Sequence, residues 1–408
     1  MKIKKLKIRD IYLFFLGFLG FSMLGQFILL NVFHFPFSFM ELYYLPLLFK
    51  YRNELASCIK KVFFHPSFKM FILGFILVCG ILMGCVETLN FSIIINYRTI
   101  IYMILIIEYV NMYGIAINLD TVYLINFAAI LGDFAFINIF SNSDITSSIN
   151  CVAIALAVFS AFLNERYTLG GLAASIGVLN GITSGFRLGI VVSFLIIVEA
   201  LVFTIVRNDN WSARKVLLKR LGILFAVIGF VSVAIVNYES IISFVATKMG
   251  MSNFAIYRVT ERMKGLLSLD FTKSQDTARL SIFQYPIQRF IRCIIPRGLI
   301  GESIGEYWLY IDVPILYLYD LFGSVCACAI LIHCIYLTCR HIKFVFYKVA
   351  DWKIILATLM MPVLLLLEIV NGTFVVVLFQ GIETAFILGI HFSKLRKARH
   401  ARQCKLCE

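Results

Sequence analysis

Apolar stretches long enough to cross a bilayer recur along the whole chain, with short polar segments between them. A helix needs about 20 predominantly apolar residues to span the hydrocarbon core. Of the 408 residues, 61% are hydrophobic and only 15% are charged, so a water-soluble fold would have too little polar surface. The sequence therefore predicts an all-α, polytopic bundle of about twelve transmembrane helices. The apolar windows lie near residues 11–30, 33–49, 70–86, 93–113, 120–140, 150–163, 168–184, 187–206, 221–238, 308–338, 354–370 and 374–392.

Basic residues predict the orientation of these helices. If the N-terminus is cytoplasmic, the inner segments hold 26 of the 37 Lys and Arg residues, as the positive-inside bias requires. The same assignment places the C-terminus inside. Short basic clusters between apolar windows thus account for the net charge of +14, which predicts a lipid bilayer and no nucleic acid as partner.

One long segment interrupts the pattern of helices. We predict transmembrane helices 1–9 in residues 1–238, one large outer loop in residues 239–307, helices 10–12 in residues 308–392, and a basic cytoplasmic tail in residues 393–408. The loop is the only part large enough to form a small extracytoplasmic subdomain. The window 308–338 is either one tilted helix or a helix broken near Gly323.

The cysteines predict neither a disulfide framework nor a metal site. Most of the eleven lie in or beside predicted helices. The terminal pair Cys404 and Cys407 has CxxC spacing, but only His400 lies near it as a further ligand, whereas a zinc site needs four. We therefore predict no bound metal.

Eleven basic residues are not explained by orientation: nine lie in the outer loop, and the others are Arg98 and Arg187. Arg187 belongs to the segment GITSGFRLG (Gly181–Gly189) between two apolar windows. Gly and Ser allow backbones to approach, and Arg can donate several hydrogen bonds to a phosphate. A plain interhelical turn, with Arg187 reaching lipid headgroups, explains the segment equally well.

Further motifs follow in the loop and at the next helix. They are DTARL (Asp276–Leu280), YPIQRF (Tyr285–Phe290), IPRGLIG (Ile295–Gly301) and DVP (Asp312–Pro314). An SGxR turn followed by a long outer loop with an Arg, an aromatic-rich stretch, a P-x-GLxG-like segment and a polar residue before the next helix resembles the Wzy-type O-antigen and capsular repeat-unit polymerases. The related O-antigen ligases share this pattern. The motifs cover residues 180–190 and 275–325, and the topology covers most of the chain.

The resemblance implies a metal-independent membrane glycosyltransferase without a cofactor, at the outer face of the bacterial cytoplasmic membrane. Its donor and acceptor would be glycans linked to undecaprenyl diphosphate, and its partners other polysaccharide-assembly proteins such as a chain-length regulator. Cations at membrane level would neutralise the charge on the leaving diphosphate. Arg187 and Arg279 match the two arginine positions of the family. Further diphosphate or sugar contacts are assigned to Arg289, Arg292, Arg297 and Glu302.

The acceptor hydroxyl must lose a proton as it attacks the anomeric carbon, and Asp312 is the first candidate for the base. It matches the position where family members carry His or Asp, although an Asp there can equally be a helix cap. Glu302, Glu306 and Asp276 are alternative bases, or solvated carboxylates paired with arginines. Ligases usually rely on a His in this region, and residues 239–332 contain none, which favours a polymerase.

Two alternatives remain: an O-antigen-type ligase, and a flippase or other transporter of lipid-linked oligosaccharides. A proton-coupled transporter would use carboxylates inside the membrane. Such carboxylates are present but spread over separate helices, where each can also be structural. They are Glu108, Asp133, Glu199, Glu368 and Glu383.

Overall fold

A computed structural model of the chain describes residues 8–34, 38–42, 50–89, 97–114, 118–139, 150–184, 187–207, 237–248, 257, 260, 290–298, 303–304, 307–308, 314–346, 352–370 and 380–391. These residues are almost entirely helical, which confirms the predicted all-α class. The exception is a pair of two-residue antiparallel strands, β1 (Ser303–Ile304) and β2 (Tyr307–Trp308). The chain forms two compact units, of residues 1–45, 117–275 and 343–352, and of residues 46–116, 276–342 and 353–408.

The helices of the described residues follow one another with short interruptions. They are α1 (Ile8–Phe15), α2 (Met23–Phe27), α3 (Arg52–Ile59), α4 (Phe68–Thr88), α5 (Arg98–Tyr113), α6 (Leu119–Ile139), α7 (Cys151–Leu163), α8 (Tyr167–Ser184), α9 (Arg187–Arg207), α10 (Tyr238–Lys248), α11 (Pro314–Phe322), α12 (Ser324–Phe346), α13 (Trp352–Val370) and α14 (residues 380–391). Turns of π-helix extend α1, α2 and α3, at Leu16–Gly20, Ile28–Val32 and Lys60–Phe64.

The predicted windows agree with most of these helices. Helices α4 to α9 and α13 each occupy one window. The window 308–338 contains α11 and α12 with a break at Gly323, whose φ of +80° suits glycine, so the broken alternative is confirmed. Most of the windows 33–49 and 221–238 lies outside the described residues. The count of about twelve spans therefore stays a prediction.

Two described helical segments are long and apolar enough to cross a membrane, Met70–Glu87 in α4 and Leu119–Ile139. In the first, only 17% of the residues are buried within the chain. One face of α4 exposes a stripe of large apolar side chains at helical spacing: Phe71, Phe75, Val78, Leu82 and Val86. A surface of this kind is unfavourable in water and suits contact with lipid.

Helix α7 forms the centre of the first unit. Every residue from Cys151 to Ala161 is buried, and α6, α8 and α9 all pack against it. Alanines and Ser160 supply much of its surface, and small residues let neighbouring helices approach closely. A helix that is apolar on all sides is expected in such a position.

A buried carboxylate joins three elements of this unit. Asp133 of α6 is 1% exposed and accepts the backbone N–H of Met23 (2.8 Å) and of Asn150 (2.9 Å), at the starts of α2 and α7. Asn150 caps α7 through Ala153 N–H and donates from Nδ2 to the carbonyl of Phe21 (2.9 Å). Helix starts favour negative charge, so Asp133 has a structural role, as one of the two sequence-based interpretations expected.

Replacing Asp133 with leucine should destabilise the protein by about 3 kcal/mol, because hydrogen bonds to a charged group contribute about 1.5–3 kcal/mol each. Asp120→Leu on the same helix is the control: Asp120 pairs with Arg166 (2.9 Å) but is half exposed, and such pairs contribute about 0–1 kcal/mol. Thermal unfolding of both variants in detergent measures the difference. Equal losses in the two variants would contradict this role of Asp133.

A second carboxylate of the predicted membrane windows, Glu108 on α5, also has a structural partner. Lys61 forms an ion pair with it, and Asn111 Nδ2 donates to its other oxygen (3.4 Å). Nearby, the Cys58 thiol donates to the carbonyl of Leu105 (3.5 Å). Burial raises the pKa of the Cys58 thiol to about 11; the charge of Glu108 also raises this pKa, and the charge of Lys61 lowers it. The thiol therefore stays protonated and unreactive near neutral pH.

Candidate functional site

Helices α8 and α9, which flank the SGxR segment, pack closely in the first unit. Helix α8 ends at Ser184, and Arg187 is the first residue of α9. A Cβ atom at Gly181 would lie 2.7 Å from Ile190 Cγ1 and 3.0 Å from its backbone nitrogen, so the approach of the two helices requires glycine there. The Arg187 backbone thus lies at the start of a helix, and its side chain lies outside the described part of the structure.

The predicted outer loop begins with a helix that packs on this junction. Ile242 of α10 is buried against Ile182 of α8 and Ile190 of α9. On its other faces α10 is exposed, and Lys248 lies over the ring of Phe244 at 5.9 Å. The first residues of the loop therefore pack beside the SGxR segment, as the resemblance would require of a loop that contributes to one site with it.

A separate candidate segment is the end of the predicted loop, residues 290–298, in the second unit. Its backbone is fixed on the break between α11 and α12. The N–H groups of Arg297 and Gly298 both donate to the carbonyl of Asp320 (2.8 Å each), and Ser324 N–H donates to the carbonyl of Cys293 (2.7 Å). Ser324 Oγ adds a bond to the carbonyl of Phe290 (2.7 Å). These bonds hold the P-R-G part of IPRGLIG in one conformation.

Two glycines allow this arrangement. Gly298 has φ of +68°, which L side chains rarely adopt, and a Cβ atom there would lie 2.2 Å from the carbonyl oxygen of Gly80 on α4. At Gly80, a Cβ atom would lie 2.3 Å from the hydroxyl of Tyr97, which donates to the carbonyl of Leu321 (3.4 Å). Close contact of Gly80 and Gly298 thus brings the end of the loop onto α4.

A buried polar pair lies under the segment. The Cys293 thiol donates to Asp320 Oδ1 (3.1 Å), and both residues are fully buried. Sequence reasoning did not select Asp320, because an acidic residue within an apolar window has no pattern that distinguishes a site from a structural role. Its carbonyl and its carboxylate both bind the loop segment, so Asp320 determines where Arg297 lies.

The Arg297 side chain forms a partly buried ion pair beside this segment. Its Nη2 lies 3.2 Å from Oε1 of Glu87, near the end of α4, and the two side chains are 21% and 25% exposed. Its Nη1 is buried and has no hydrogen-bond partner in the described part of the chain. Glu87 was not selected from the sequence, although it is the only acidic residue between the windows 70–86 and 93–113.

Of the other predicted site residues, Arg292 is exposed in the helical turn at 290–292. Arg279, Asp312, Arg289 and Glu302 lie outside the described residues, as do the alternative bases Asp276 and Glu306. Arg187 belongs to the first unit and Arg297 to the second.

The second unit also contains an apolar cavity of about 180 Å³. Its walls come from α4, α5, α11, α12, α13 and α14, and Thr384 is the polar residue among them. Ile100 and Leu318, which line it, also belong to the apolar cluster around Tyr97 and Cys293. A cavity of this composition suits hydrocarbon.

The fold and these contacts define an all-helical protein with apolar helices of membrane-spanning length and a charged site built on helix ends. No family model, curated protein or solved structure matches the chain.

Proposed function

We propose that the protein polymerises undecaprenyl-diphosphate-linked oligosaccharide repeat units at the outer face of the bacterial cytoplasmic membrane. About twelve helices would span the membrane, with both termini in the cytoplasm. The growing glycan is transferred from its diphosphate carrier to a hydroxyl of another lipid-linked repeat. The reaction needs no metal ion and no cofactor.

The observation that carries the proposal is the fixed P-R-G segment with its incompletely bonded arginine. Five backbone and side-chain contacts hold residues 290–298 on helix ends, and the guanidinium of Arg297 still has a buried nitrogen that finds no partner among the described residues. Leaving such a donor unsatisfied is costly. A rigid site of this kind, with one cationic and one anionic side chain, suits the binding of a polar substrate at the end of apolar helices.

Two sets of contacts support the proposed sidedness. The loop segment, expected outside, contacts Glu87, which lies between the windows 70–86 and 93–113 and is also expected outside, and Tyr97, which lies near the outer end of the window 93–113. Lys61, expected inside, pairs with Glu108, which lies on α5 about 16 Å along the helix from Tyr97. Lys61 and the loop segment therefore contact positions near opposite ends of α5, as expected if they lie on opposite sides of the membrane.

In the proposed mechanism, Arg187 and Arg279 stabilise the negative charge that grows on the leaving diphosphate. Asp312 accepts the proton of the acceptor hydroxyl as the hydroxyl oxygen bonds to the anomeric carbon. The old bond between that carbon and the diphosphate oxygen breaks, and the carrier diphosphate leaves. Arg187 opens α9, so the free N–H groups of the first helical turn would add to the stabilisation.

Two of the five carboxylates named for the transporter alternative, Glu108 and Asp133, have contacts that argue against their use in proton transport. Proton-coupled transport needs intramembrane carboxylates that bind and release protons. Glu108 is engaged by Lys61, and Asp133 is engaged by two helix starts. Both contacts are of the structural kind.

Replacing Asp312 with asparagine tests its assigned role as base. Asn can still cap a helix but cannot accept the proton, so we expect polymer synthesis to fall by about 10²–10⁴-fold while the protein stays folded and inserted. Chain length is measured on polysaccharide gels, with protein quantified in membranes. Unchanged chain length would leave Asp312 as a cap only.

Polymerisation itself is tested with purified full-length protein and lipid-linked repeat units, extracted from cells in which the chain is deleted. A ladder of longer glycans supports the proposal. Transfer of glycan to a different acceptor without a ladder would indicate a ligase. Passage of glycan across a liposome membrane without new bonds would indicate a transporter and overturn the proposal.

A further inference from the structure

The Arg297 guanidinium starts from a fixed position. Two backbone bonds to the Asp320 carbonyl and the contact of Gly298 with Gly80 set the direction in which the side chain leaves the backbone. Glu87 lies seven residues beyond Gly80 on α4, or about 10 Å along the helix. The arginine therefore extends along α4 and meets the carboxylate near the end of that helix.

The ion pair leaves both donors and acceptors unused. A guanidinium has five N–H donors, and a carboxylate can accept about four hydrogen bonds. Glu87 Oε1 lies 3.2 Å from Nη2 of Arg297, while Nη1 is buried and has no hydrogen-bond partner in the part of the chain that the structure describes. Between a fifth and a quarter of each side chain is exposed, which gives a ligand access to the pair.

The charge of the pair argues against a phosphate ligand. A diphosphate beside Arg297 would also lie close to Glu87, and the repulsion would largely cancel the attraction. A hydroxyl group suits both partners, because it accepts from the guanidinium and donates to the carboxylate, and both bonds are strengthened by charge. Sugars carry such groups in number, whereas the lipid diphosphate carries none.

We propose that Arg297 and Glu87 together form a subsite for sugar hydroxyl groups of the lipid-linked glycan. This assignment rests on the proposed function. The sequence left open whether Arg297 binds the diphosphate or a sugar, and the subsite assigns it to a sugar. The diphosphate is left to other cations. Glu87 has two roles in the subsite: it orients the guanidinium, and it accepts the hydroxyl proton in a hydrogen bond.

The subsite is tested by binding two probes to full-length protein in lipid nanodiscs: farnesyl diphosphate, which has no sugar, and lipid-linked repeat units extracted from cells that lack the chain. Glu87→Gln and Arg297→Gln should each weaken binding of the repeat unit by about tenfold or more, the effect of losing a charge-assisted hydrogen bond. Affinity for farnesyl diphosphate should change less than about twofold. Asp120→Asn, which breaks an ion pair in the other unit, is the control and should change neither affinity.

Several outcomes would overturn the subsite. A loss of farnesyl diphosphate affinity in Arg297→Gln would make the residue a phosphate ligand. If both variants unfold at the wild-type temperature and keep the wild-type affinity for the repeat unit, the pair contacts no sugar. If the wild-type protein does not bind the repeat unit, the subsite is also wrong. If the repeat unit binds through the pair but no ladder forms, the proposed polymerase function is wrong and the proposed sugar subsite is supported. If Glu87→Gln and Arg297→Gln give normal ladders and normal affinity, the subsite fails and polymerisation stands.

Discussion

Cells that carry Arg187→Ala or Arg279→Ala are expected to accumulate lipid-linked single repeat units and to make no long-chain polysaccharide. The leaving diphosphate gains negative charge as the glycosidic bond breaks, and no metal ion is available in the proposed reaction to neutralise it. Removing one preorganised donor to such a charge costs about 10²–10³-fold in rate. Each single variant should therefore abolish detectable polymer, measured on polysaccharide gels beside the pool of lipid-linked repeats.

Arg166→Ala provides the control for these two variants. Arg166 lies in the turn between α7 and α8, is half exposed, and forms an ion pair with Asp120, so its loss removes a positive charge without touching the proposed site. Membrane levels of all three proteins are compared by immunoblot. Long-chain glycan in both Arg187→Ala and Arg279→Ala at normal protein levels would contradict the role assigned to these arginines.

The second large effect is expected from Gly298→Ala. The added Cβ atom would lie 2.2 Å from the carbonyl oxygen of Gly80, and backbone cannot yield as a flexible side chain does. The φ of +68° adds about 1–2 kcal/mol for an L residue, and overpacking costs about 1–3 kcal/mol more. The segment should therefore leave α4 and carry Arg297 away from Glu87, with loss of polymer and a lower unfolding temperature.

Gly74→Ala on α4 is the matched control for this variant. A Cβ atom there would meet nothing within 4 Å, and alanine favours a helix over glycine by about 1 kcal/mol. We expect wild-type polymer and an unfolding temperature equal to or above that of the wild type. If Gly298→Ala behaved like Gly74→Ala in both measurements, the close contact of Gly298 with Gly80 would not hold the site together.

Much of the helical fold could be predicted because the signal is local. Helices α4, α6 and α8 coincide with apolar windows, since length and hydropathy are properties of a short stretch of chain. The break at Gly323 could be named but not chosen over a tilted helix, because a glycine within an apolar window permits either. The break near Ser22 was not predicted at all. It depends on Asp133, which binds the N–H of Met23 from a distant part of the sequence.

The candidate site was predicted unevenly. The SGxR and P-R-G segments stand out as polar, glycine-containing interruptions between apolar stretches. Close contacts that depend on glycine are found at Gly298 in the second segment and at Gly181, just before the first. Glu87 and Asp320 did not stand out, since each is a single acidic residue next to or within an apolar window. The sequence contains no sign that either one meets the outer loop.

By itself, the sequence determined which stretches are helical and apolar, and which segments between them combine an arginine with glycine, namely SGxR and P-R-G. Composition and periodicity are properties of short stretches of chain, so both features can be read without the tertiary structure. Only the tertiary structure decided three contacts. Gly298 packs against Gly80, the carbonyl of Asp320 accepts the backbone N–H of Arg297, and Glu87 pairs with the Arg297 guanidinium. These contacts join residues far apart along the chain. They exist because two glycine backbones approach within a distance that no side chain would allow, and no local pattern encodes that distance.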